Sequence, residues 1–259
     1  MLRLIISLDI NSITHELSDS IIGSNFIYLD ETTSTMDDAR NYVGDLSNDG
    51  LVVFAEYQTK ARGRLGRDWV SEQNQNITFS LLIYPDPEMI NQLTILSSVI
   101  IARFLESIQL NPQIKWPNDV LVNNKKIAGI LVESLYQENT PTSAIIGIGL
   151  NVNYFPSVEL TNGKTATSIS HELGHTIDRS IILINLLKQF NSFYTKEHPW
   201  ESIFEYWNQH LITLGQNITI KTNNQIEITG IAVSVNQSGA LKVQKENGDI
   251  EFIDYGEII

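Results

Sequence analysis

The chain has 259 residues, 42% of them hydrophobic, which is enough for one large globular domain and a small one. Its 17 Lys and Arg residues against 30 Asp and Glu give a net charge of −13. This charge argues against a general nucleic-acid-binding protein, which would carry a basic face. The absence of cysteine excludes disulfide bonds and thiolate metal sites.

Residues 1–25 have weak apolar periodicity, and no regular element is predicted there. The N-terminus is not a signal peptide, because its apolar run is short, Asp9 interrupts it, and no small-residue cleavage site follows. No apolar run in the chain is long enough to span a bilayer. These features predict a soluble, cytoplasmic protein without a membrane partner.

A helix is predicted after the first strand, because Ser34 or Thr35 can cap it and two aspartates follow in its first turn. The helix would bury Met36. The strands of this region are predicted at Phe26–Leu29, Leu51–Tyr57 and Asn76–Tyr84.

A basic loop joins the last two of these strands and contains the sequence KARGRLGRDW. Arginine offers a rigid fork of donors to carboxylates and phosphates, and glycine lets the backbone approach a ligand closely. In so acidic a chain, the cluster predicts an anion-binding loop for nucleic acid, a small carboxylate or a nucleotide. A solvated, flexible loop is the alternative. The basic residues are Lys60, Arg62, Arg64 and Arg67, with Gly63 and Gly66 between them.

The middle of the chain predicts a helix and further strands. The stretch KWPND ends a strand at Pro117, and Asn123–Asn124 is predicted to turn between two strands. In the last strand Gly147 and Gly149 indicate that small residues are needed. The helix is predicted at Gln92–Ile108 and the strands at Ile114–Trp116, Val120–Val122, Lys126–Tyr136 and Ser143–Asn153.

Several polar residues lie at the ends of these strands. Lys115, Asn118 and Asp119 cluster around Pro117, and Lys125 and Lys126 precede an apolar strand. Lysines that flank a strand are usually solvated, so the residues alone do not decide between a site and a surface. Asn151 follows a buried run, where a strand-end turn residue is the simpler interpretation.

The sequence HELGH, residues 171–175, matches the H-E-x-x-H zinc-protease pattern. That pattern needs a continuous helix to bring both histidines onto one face. Gly174 is predicted to end a short helix that begins near Ser168 or Ser170, so the match is interpreted as chance and no metal ligands are assigned.

The last part of the chain changes in character near Thr213. Before it, Asp178 can cap a long helix and Pro199 suits the first turn of another. After it, short alternating segments with turn residues between them predict a small antiparallel β domain. The predicted organisation is a leader at 1–25, a main domain at 26–212 and the small domain at 213–259.

Three stretches taken together resemble the biotin protein ligases. They are Ser34–Thr35, RGRLGRDW after EYQ, and KWPND with KIAGIL before GIGLNVN. The resemblance covers the chain from about Phe26 to its end, with Ala61 in place of a family glycine and Met36 in place of asparagine. It implies an α+β fold with a mixed sheet and flanking helices, similar to class II aminoacyl-tRNA synthetases, and a C-terminal SH3-like barrel.

The resemblance implies a two-step reaction. ATP and biotin, with Mg²⁺, would give biotinyl-5′-AMP, and a lysine of a biotin carboxyl carrier domain would then receive the biotin. Lys126, Arg62 and Arg64 would be catalytic. The biotin-binding residues would be Ser34, Thr35, Met36, Gln58, Arg62, Gly63, Arg64, Lys126 and Gly129, and the ATP-binding residues would be Arg67, Trp69, Lys115, Asn118 and Asn151.

Two alternatives are considered beside this assignment. One is a lipoate or octanoate ligase or transferase of the same fold, which Gln58 and RGRLGR disfavour. The other is a regulatory protein with the N-terminal DNA-binding domain that many biotin ligases carry. Only 33 residues precede Ser34 and they lack a basic recognition helix, so a form without that domain and without DNA binding is expected. A homodimer is a further expectation.

Overall fold

A computed structural model describes residues 7–67, 69, 72–154, 166–195, 199–222 and 225–259. Two sheets organise these residues. The larger has seven strands in the order β1-β2-β3-β7-β6-β5-β4, with β1 and β2 parallel and the other neighbours antiparallel. Its strands are β1 (Phe26–Thr32), β2 (Val52–Gln58), β3 (Ile77–Ile83), β4 (Pro112–Lys115), β5 (Asp119–Val122), β6 (Lys125–Gln137) and β7 (Thr140–Leu150).

Helices cover one face of this sheet. The 15-residue helix α4 buries most of its surface against the sheet and against two later helices, so the main apolar core lies on this side. The opposite face carries α2 and a much smaller apolar cluster. The helices are α1 (Ile10–Glu16), α2 (Thr35–Arg40), α3 (Pro87–Ile90), α4 (Leu93–Ser107), α5 (Ile169–Leu173), α6 (Arg179–Thr195) and α7 (Trp200–His210).

The prediction that residues 1–25 contain no regular element is wrong. Asp9 caps α1 by accepting a hydrogen bond from the N–H of Ser12, and Ile13, Leu17 and Ile22 are buried in the core beside α6. A seven-residue helix shows too few apolar positions for its period to be recognised. The domain boundary at residue 26 stays a prediction.

The C-terminal residues form a five-stranded antiparallel sheet, which confirms the predicted small β domain. It packs on the main domain through specific contacts. The indole N–H of Trp116 donates to the carbonyl of Gly239, and the N–H of Trp116 donates to the hydroxyl of Thr213. The strands, in the order β11-β10-β9-β8-β12, are β8 (Asn217–Lys221), β9 (Glu227–Val235), β10 (Leu241–Gln244), β11 (Ile250–Ile253) and β12 (Glu257–Ile258).

Three local predictions can be compared with the structure. Asn123 and Asn124 both have positive φ angles, 51° and 60°, as a two-residue turn between β5 and β6 requires. Helix α5 begins after Ser168 and ends at Gly174, whose φ is 79°, so HELGH is not one continuous helix. Pro199 occupies the N-cap of α7, one position before the predicted first turn. No helix among the described residues is long and apolar enough to cross a membrane.

Candidate active site

The candidate site lies on the sheet face opposite the main core. Gly147 and Gly149 alternate along β7, and larger side chains take the space above them. A Cβ on Gly147 would lie 2.8 Å from Sδ of Met36, and a Cβ on Gly149 would lie 2.3 Å from Cε2 of Trp69. The glycines therefore form a floor on which Met36 and Trp69 are seated.

One wall of the site comes from the N-terminus of α2. The N–H of Thr35 donates to Oε1 of Gln58 over 2.8 Å, and its hydroxyl bonds to the hydroxyl of Ser80 over 2.8 Å. Ser34 occupies the N-cap position, but within the described residues its side chain makes no capping hydrogen bond. Ser34 and Thr35 are both 2% exposed. The structure thus brings together Ser34, Thr35 and Gln58 as polar groups beside the glycine floor.

The basic loop is closed by its own hydrogen bonds. The N–H of Trp69 donates to the carbonyl of Ala61 over 3.0 Å, and the N–H of Gly63 donates to the carbonyl of Arg67 over 2.7 Å. At its tip Leu65 and Gly66 adopt positive φ angles of 55° and 71°. The loop is therefore a tight excursion that returns Trp69 to the sheet.

Two arginines of the loop are paired with carboxylates on different elements. Arg62 binds Asp37 of α2 through both guanidinium nitrogens, one of them at 2.7 Å. That hydrogen bond and the positive charge lower the pKa of Asp37 below its ordinary value of 3.8. Arg67 forms an ion pair with Glu257 of β12, in the small domain. The loop is thus attached to both domains.

Arg64 has a different environment from these two arginines. Burial lowers the pKa of its guanidinium below the ordinary value, and the Asp119 carboxylate acts in the opposite direction. Arg64 lines a cavity of about 220 Å³ between the two domains. Asn118 lines the same cavity and holds the edge of β6 by donating to the carbonyl of Ile130 over 2.6 Å.

A β-bulge determines the direction of Lys126. Val120 pairs with Ala128, but Leu121 pairs with Lys126, so β6 contains Ile127 as an extra residue. Because Asp119 pairs with Gly129, the bulge places Lys126 on the same face as Gly129. Nζ of Lys126 lies 2.6 Å from Oδ1 of Asp119 and 5.5 Å from the centre of the Trp69 ring.

Two predicted ATP-binding residues, Lys115 and Asn151, have different surroundings. Lys115 pairs in register with Asp119 and therefore shares its face, although no contact of its side chain with another predicted residue is found in the described part of the chain. Asn151 is 5% exposed, and its amide donates to the carbonyl of Thr167 over 3.0 Å. That contact joins the end of β7 to the segment that precedes α5, and it does not test a role in ATP binding.

The sequence reasoning missed residues that complete the site. Ser80 is fully buried and supports Thr35, but a serine inside a buried strand gives no signal of its own. Asp37 was recognised only as a first-turn residue of a helix and Asp119 only as a member of a polar cluster, whereas they are the carboxylates that hold Arg62 and Lys126. Their roles depend on pairing that only the fold reveals.

This arrangement suits the binding of anions on an apolar, glycine-lined surface. Lys126 lies against the floor at Gly129, and the Asp119 carboxylate acts on both Lys126 and Arg64. No cluster of three or more His, Asp or Glu side chains able to hold a metal ion occurs in the described ranges. Lys126 and Arg64 are cations that this part of the structure offers to an anionic substrate.

Comparisons with known proteins identify the family. A sequence model of the biotin/lipoate A/B protein ligase family matches residues 27–151, and one of the biotin protein ligase C-terminal domain matches residues 213–259. The bifunctional ligase/repressor BirA of Bacillus spizizenii is 34% identical over 241 residues, covering 90% of this chain and 73% of its own length. The biotin–[acetyl-CoA-carboxylase] ligase of Paracoccus denitrificans is 30% identical over 223 residues, covering 82% of this chain and 91% of its own.

The solved structures agree with these sequence matches. The biotin protein ligase of Aquifex aeolicus in complex with biotin and ATP superposes with a TM-score of 0.74 at 29% identity, covering 91% of this chain and 97% of that one. Its likeness extends over both sheets, so the expected α+β fold with a small C-terminal β domain is confirmed. The chain belongs to the biotin protein ligase family.

Proposed function

We propose that this chain activates biotin with ATP as biotinyl-5′-AMP and transfers the biotin to a lysine of a carrier domain. The observation that carries the proposal is the placement of Lys126 against a glycine-lined floor, with the polar wall of Thr35 and Gln58 beside the same floor. Arg64 lies near Asp119, the carboxylate that pairs with Lys126. Biotin combines a polar ureido ring, an apolar tail and a carboxylate, and the site offers a matching surface for each.

The polar wall would hold the ureido ring of biotin. Thr35 and Gln58 are already oriented by mutual hydrogen bonds, and Ser80 fixes the Thr35 hydroxyl. Groups held in place before the ligand arrives lose little entropy on binding. Ser34 would contribute its hydroxyl, Met36 would contribute apolar surface, and the backbone of Arg62–Arg64 would cover the ring.

The first chemical step would bring two anions together, because the biotin carboxylate must attack the α-phosphorus of ATP. Bond formation from the carboxylate oxygen to phosphorus would be accompanied by loss of pyrophosphate. Lys126 would neutralise the carboxylate and the developing charge on the acyl phosphate, with Arg62 and Arg64 as further cations. Fixed donors of this kind typically contribute 10²–10³-fold in rate each.

The nucleotide would lie on the side of Arg67, Trp69, Lys115, Asn118 and Asn151. Mg²⁺ would neutralise phosphate charge when bound. Because no three-ligand cluster exists among the described side chains, the ion would be held chiefly by the phosphates of ATP, as is usual for Mg²⁺ in nucleotide sites. The chain's own part is to orient the phosphates with cations.

In the second step the amine of a carrier lysine would attack the acyl carbon, and AMP would leave as the amide bond forms. The adenylate is hydrolysed if water reaches it, so coverage by the closed basic loop would protect it. The carrier proposed is the biotin carboxyl carrier domain of a biotin-dependent carboxylase. A homodimer, a cytoplasmic location and the absence of DNA binding stay predictions, the last resting on the charge of −13.

A lipoate or octanoate ligase is the second candidate, since the matching family includes lipoate enzymes. Lipoate and octanoate lack a ureido ring and would leave the Thr35–Gln58 wall without a polar partner, so biotin is favoured. The test is ATP–pyrophosphate exchange with purified chain and Mg²⁺, supplied with biotin, lipoate or octanoate. Exchange that depends on biotin alone supports the proposal, and exchange only with lipoate or octanoate contradicts it.

A further inference from the structure

The basic loop connects the end of β2 to the start of β3, and at these two ends the strands are no longer paired by backbone hydrogen bonds. The β2–β3 ladder extends from the Val52–Leu81 pair only to the Phe54–Phe79 pair. Beyond it β2 continues to Gln58 against β1 alone. Beyond the ladder a side-chain hydrogen bond remains between the two strands, from the hydroxyl of Thr78 to the carbonyl of Ala55 over 2.7 Å. The loop thus departs from β2 and returns at Asn76 without ladder hydrogen bonds between its two ends.

A buried guanidinium spans this gap. Arg179, the first residue of α6, is 0% exposed. Its Nη1 and Nη2 both bind the carboxylate of Glu56, the latter at 3.0 Å, and Nη1 also donates to the carbonyl of Asn76 over 3.1 Å. One side chain therefore holds the departing strand through Glu56 and the returning strand through Asn76.

The returning end is held from the same direction by the neighbours of Arg179. Asn153 donates its N–H to the carbonyl of Gln75 over 2.8 Å, and its side-chain carbonyl accepts from the N–H of Ile177 over 3.0 Å. The segment that leads into α6 and the start of β3 are therefore joined on two sides. A shift of α6 would be transmitted to the end of the loop.

An arginine suits this position for a geometric reason. Its planar fork bonds both oxygens of a carboxylate at once and retains N–H groups for a third acceptor, which the single ammonium of a lysine cannot do in the same geometry. The pair is fully buried, since Glu56 is 4% exposed, so its geometry is not loosened by solvent. Buried ion pairs are weak evidence for stability, and hydrophobic replacements are often neutral. A role in positioning gives a reason for retaining the charges.

We propose that Arg179 is a positioning residue for the basic loop: through Glu56 and the Asn76 carbonyl it helps to fix the distance between the loop's two ends, and so places Trp69 on the glycine floor and Arg62 beside Asp37. This inference rests on the proposed function for its kinetic consequence, but its structural consequence can be measured without any substrate. Misplacement by about 1 Å far from the reacting atoms can cost 10²-fold in rate.

The main test replaces the buried pair by an apolar one of similar volume, Glu56→Met with Arg179→Met. We expect the double variant to stay folded, because hydrophobic replacement of a buried ion pair is often neutral or stabilising. Hydrogen exchange of the ligand-free protein should speed up at the loop amides of Gly63, Arg67 and Trp69. In ATP–pyrophosphate exchange, kcat/KM for biotin should fall on the order of 10²-fold. Wild-type exchange and wild-type kinetics in this folded variant would overturn the proposal.

A second variant covers the case in which the double variant does not fold. Arg179→Lys keeps the charge beside Glu56 but cannot bridge all three acceptors, so it should show the same faster loop exchange and reduced kcat/KM. The matched control is Tyr194→Phe, which removes a hydrogen bond to Asp49 far from the loop. It should lower the melting temperature and leave KM and kcat unchanged. If Arg179→Lys behaves like Tyr194→Phe, the pair is only structural.

Failure of the proposed function is distinguishable from failure of this inference. Lack of biotin-dependent exchange in the wild-type chain contradicts the proposed function, whereas the hydrogen-exchange comparison of ligand-free variants still decides whether Arg179 positions the loop. Unchanged loop protection in both Arg179 variants would overturn the inference even if the wild-type chain adenylates biotin.

Discussion

The two faces of the seven-stranded sheet are covered in different ways. On one face α4, α6 and α7 bury a continuous apolar core. On the other, the cover is one six-residue helix, a closed loop and a tryptophan seated on glycines. The first face supplies apolar burial, which stabilises the fold, and the second is left open by small residues so that a ligand can be held against it. Neighbouring residues in one strand can therefore have unrelated tasks.

The largest expected effect concerns the cations of the open face. Lys126→Ala should reduce the rate of adenylation on the order of 10²–10³-fold, about 2.7–4 kcal/mol of barrier, as for one fixed oxyanion donor. The affinity for biotin should change less, because the contacts of the ureido ring remain. The measurement is pyrophosphate exchange at saturating and subsaturating biotin.

Lys125 is the matched control for this variant. It pairs with Val122, whose side chain belongs to the core face, and Lys126 pairs with Leu121 on the other. Lys125→Ala should be nearly neutral, within about 0.5 kcal/mol, as surface substitutions usually are. If Lys125→Ala strongly reduces the rate of adenylation and Lys126→Ala does not, the catalytic role is assigned to the wrong lysine.

A second prediction compares adjacent residues on opposite faces of β7. Gly149→Ala would place a methyl group 2.3 Å from the Trp69 ring, so the ring must leave its seat. We expect kcat/KM for biotin to fall on the order of 10²-fold from the displaced loop, with little change in stability. Activity and thermal unfolding should be measured on the same preparation.

Ile148→Val tests the core face next to that glycine. Ile148 is 3% exposed and belongs to the main core, so the lost methylene should cost about 0.5–1.5 kcal/mol of unfolding free energy. The rate of adenylation should be unchanged. If Ile148→Val reduces activity as strongly as Gly149→Ala, the two faces are not functionally separate.

A third prediction compares the basic loop with helix α4 in the presence and absence of biotin and ATP. The hydrogen bonds that close the basic loop should open more often in the free protein than when biotin or the adenylate is bound, because the loop is long and contains two glycines. Amide exchange in this loop should slow roughly tenfold or more on adding biotin and ATP, and exchange in α4 should change much less. Equal protection of the loop with and without ligand would contradict this expectation.

The smallest predicted effect is the titration of Asp37. Its pKa is lowered by Arg62, so the ion pair is present above the ordinary value of 3.8 and is lost as the pH falls through the lowered pKa. Both side chains are more than one third exposed, so solvent screens the pair and we expect no measurable change in stability between pH 5 and 8. In Arg62→Ala the carboxyl should titrate nearer 3.8, which carbon-detected NMR can follow. An unchanged Asp37 pKa in that variant would mean that the pair is absent in solution.

The sequence predicted most strands and long helices because their periodicity is local. Strands β2 and β3, helix α4 and the Asn123–Asn124 turn were recognised from neighbouring residues alone. The Arg179–Glu56 pair lies 123 positions apart along the chain, and no local pattern connects its members. The contact of Ser80 with Thr35 spans 45 positions and was missed for the same reason. The polar residues of the site were named through family resemblance, and their assigned roles stay predictions.

The bulge at Ile127 has a practical consequence for anyone who alters or transplants this strand. It acts as a half-period phase shift, so counting alternate residues back from Gly129 gives the wrong orientation for Lys126. Removing the bulge while keeping Ile127 would restore perfect alternation and direct the Lys126 ammonium to the opposite side of the sheet, whereas deleting Ile127 would leave Lys126 on the side of Gly129. If this strand is grafted into another protein, the β-bulge at Ile127 must be transferred together with Lys126.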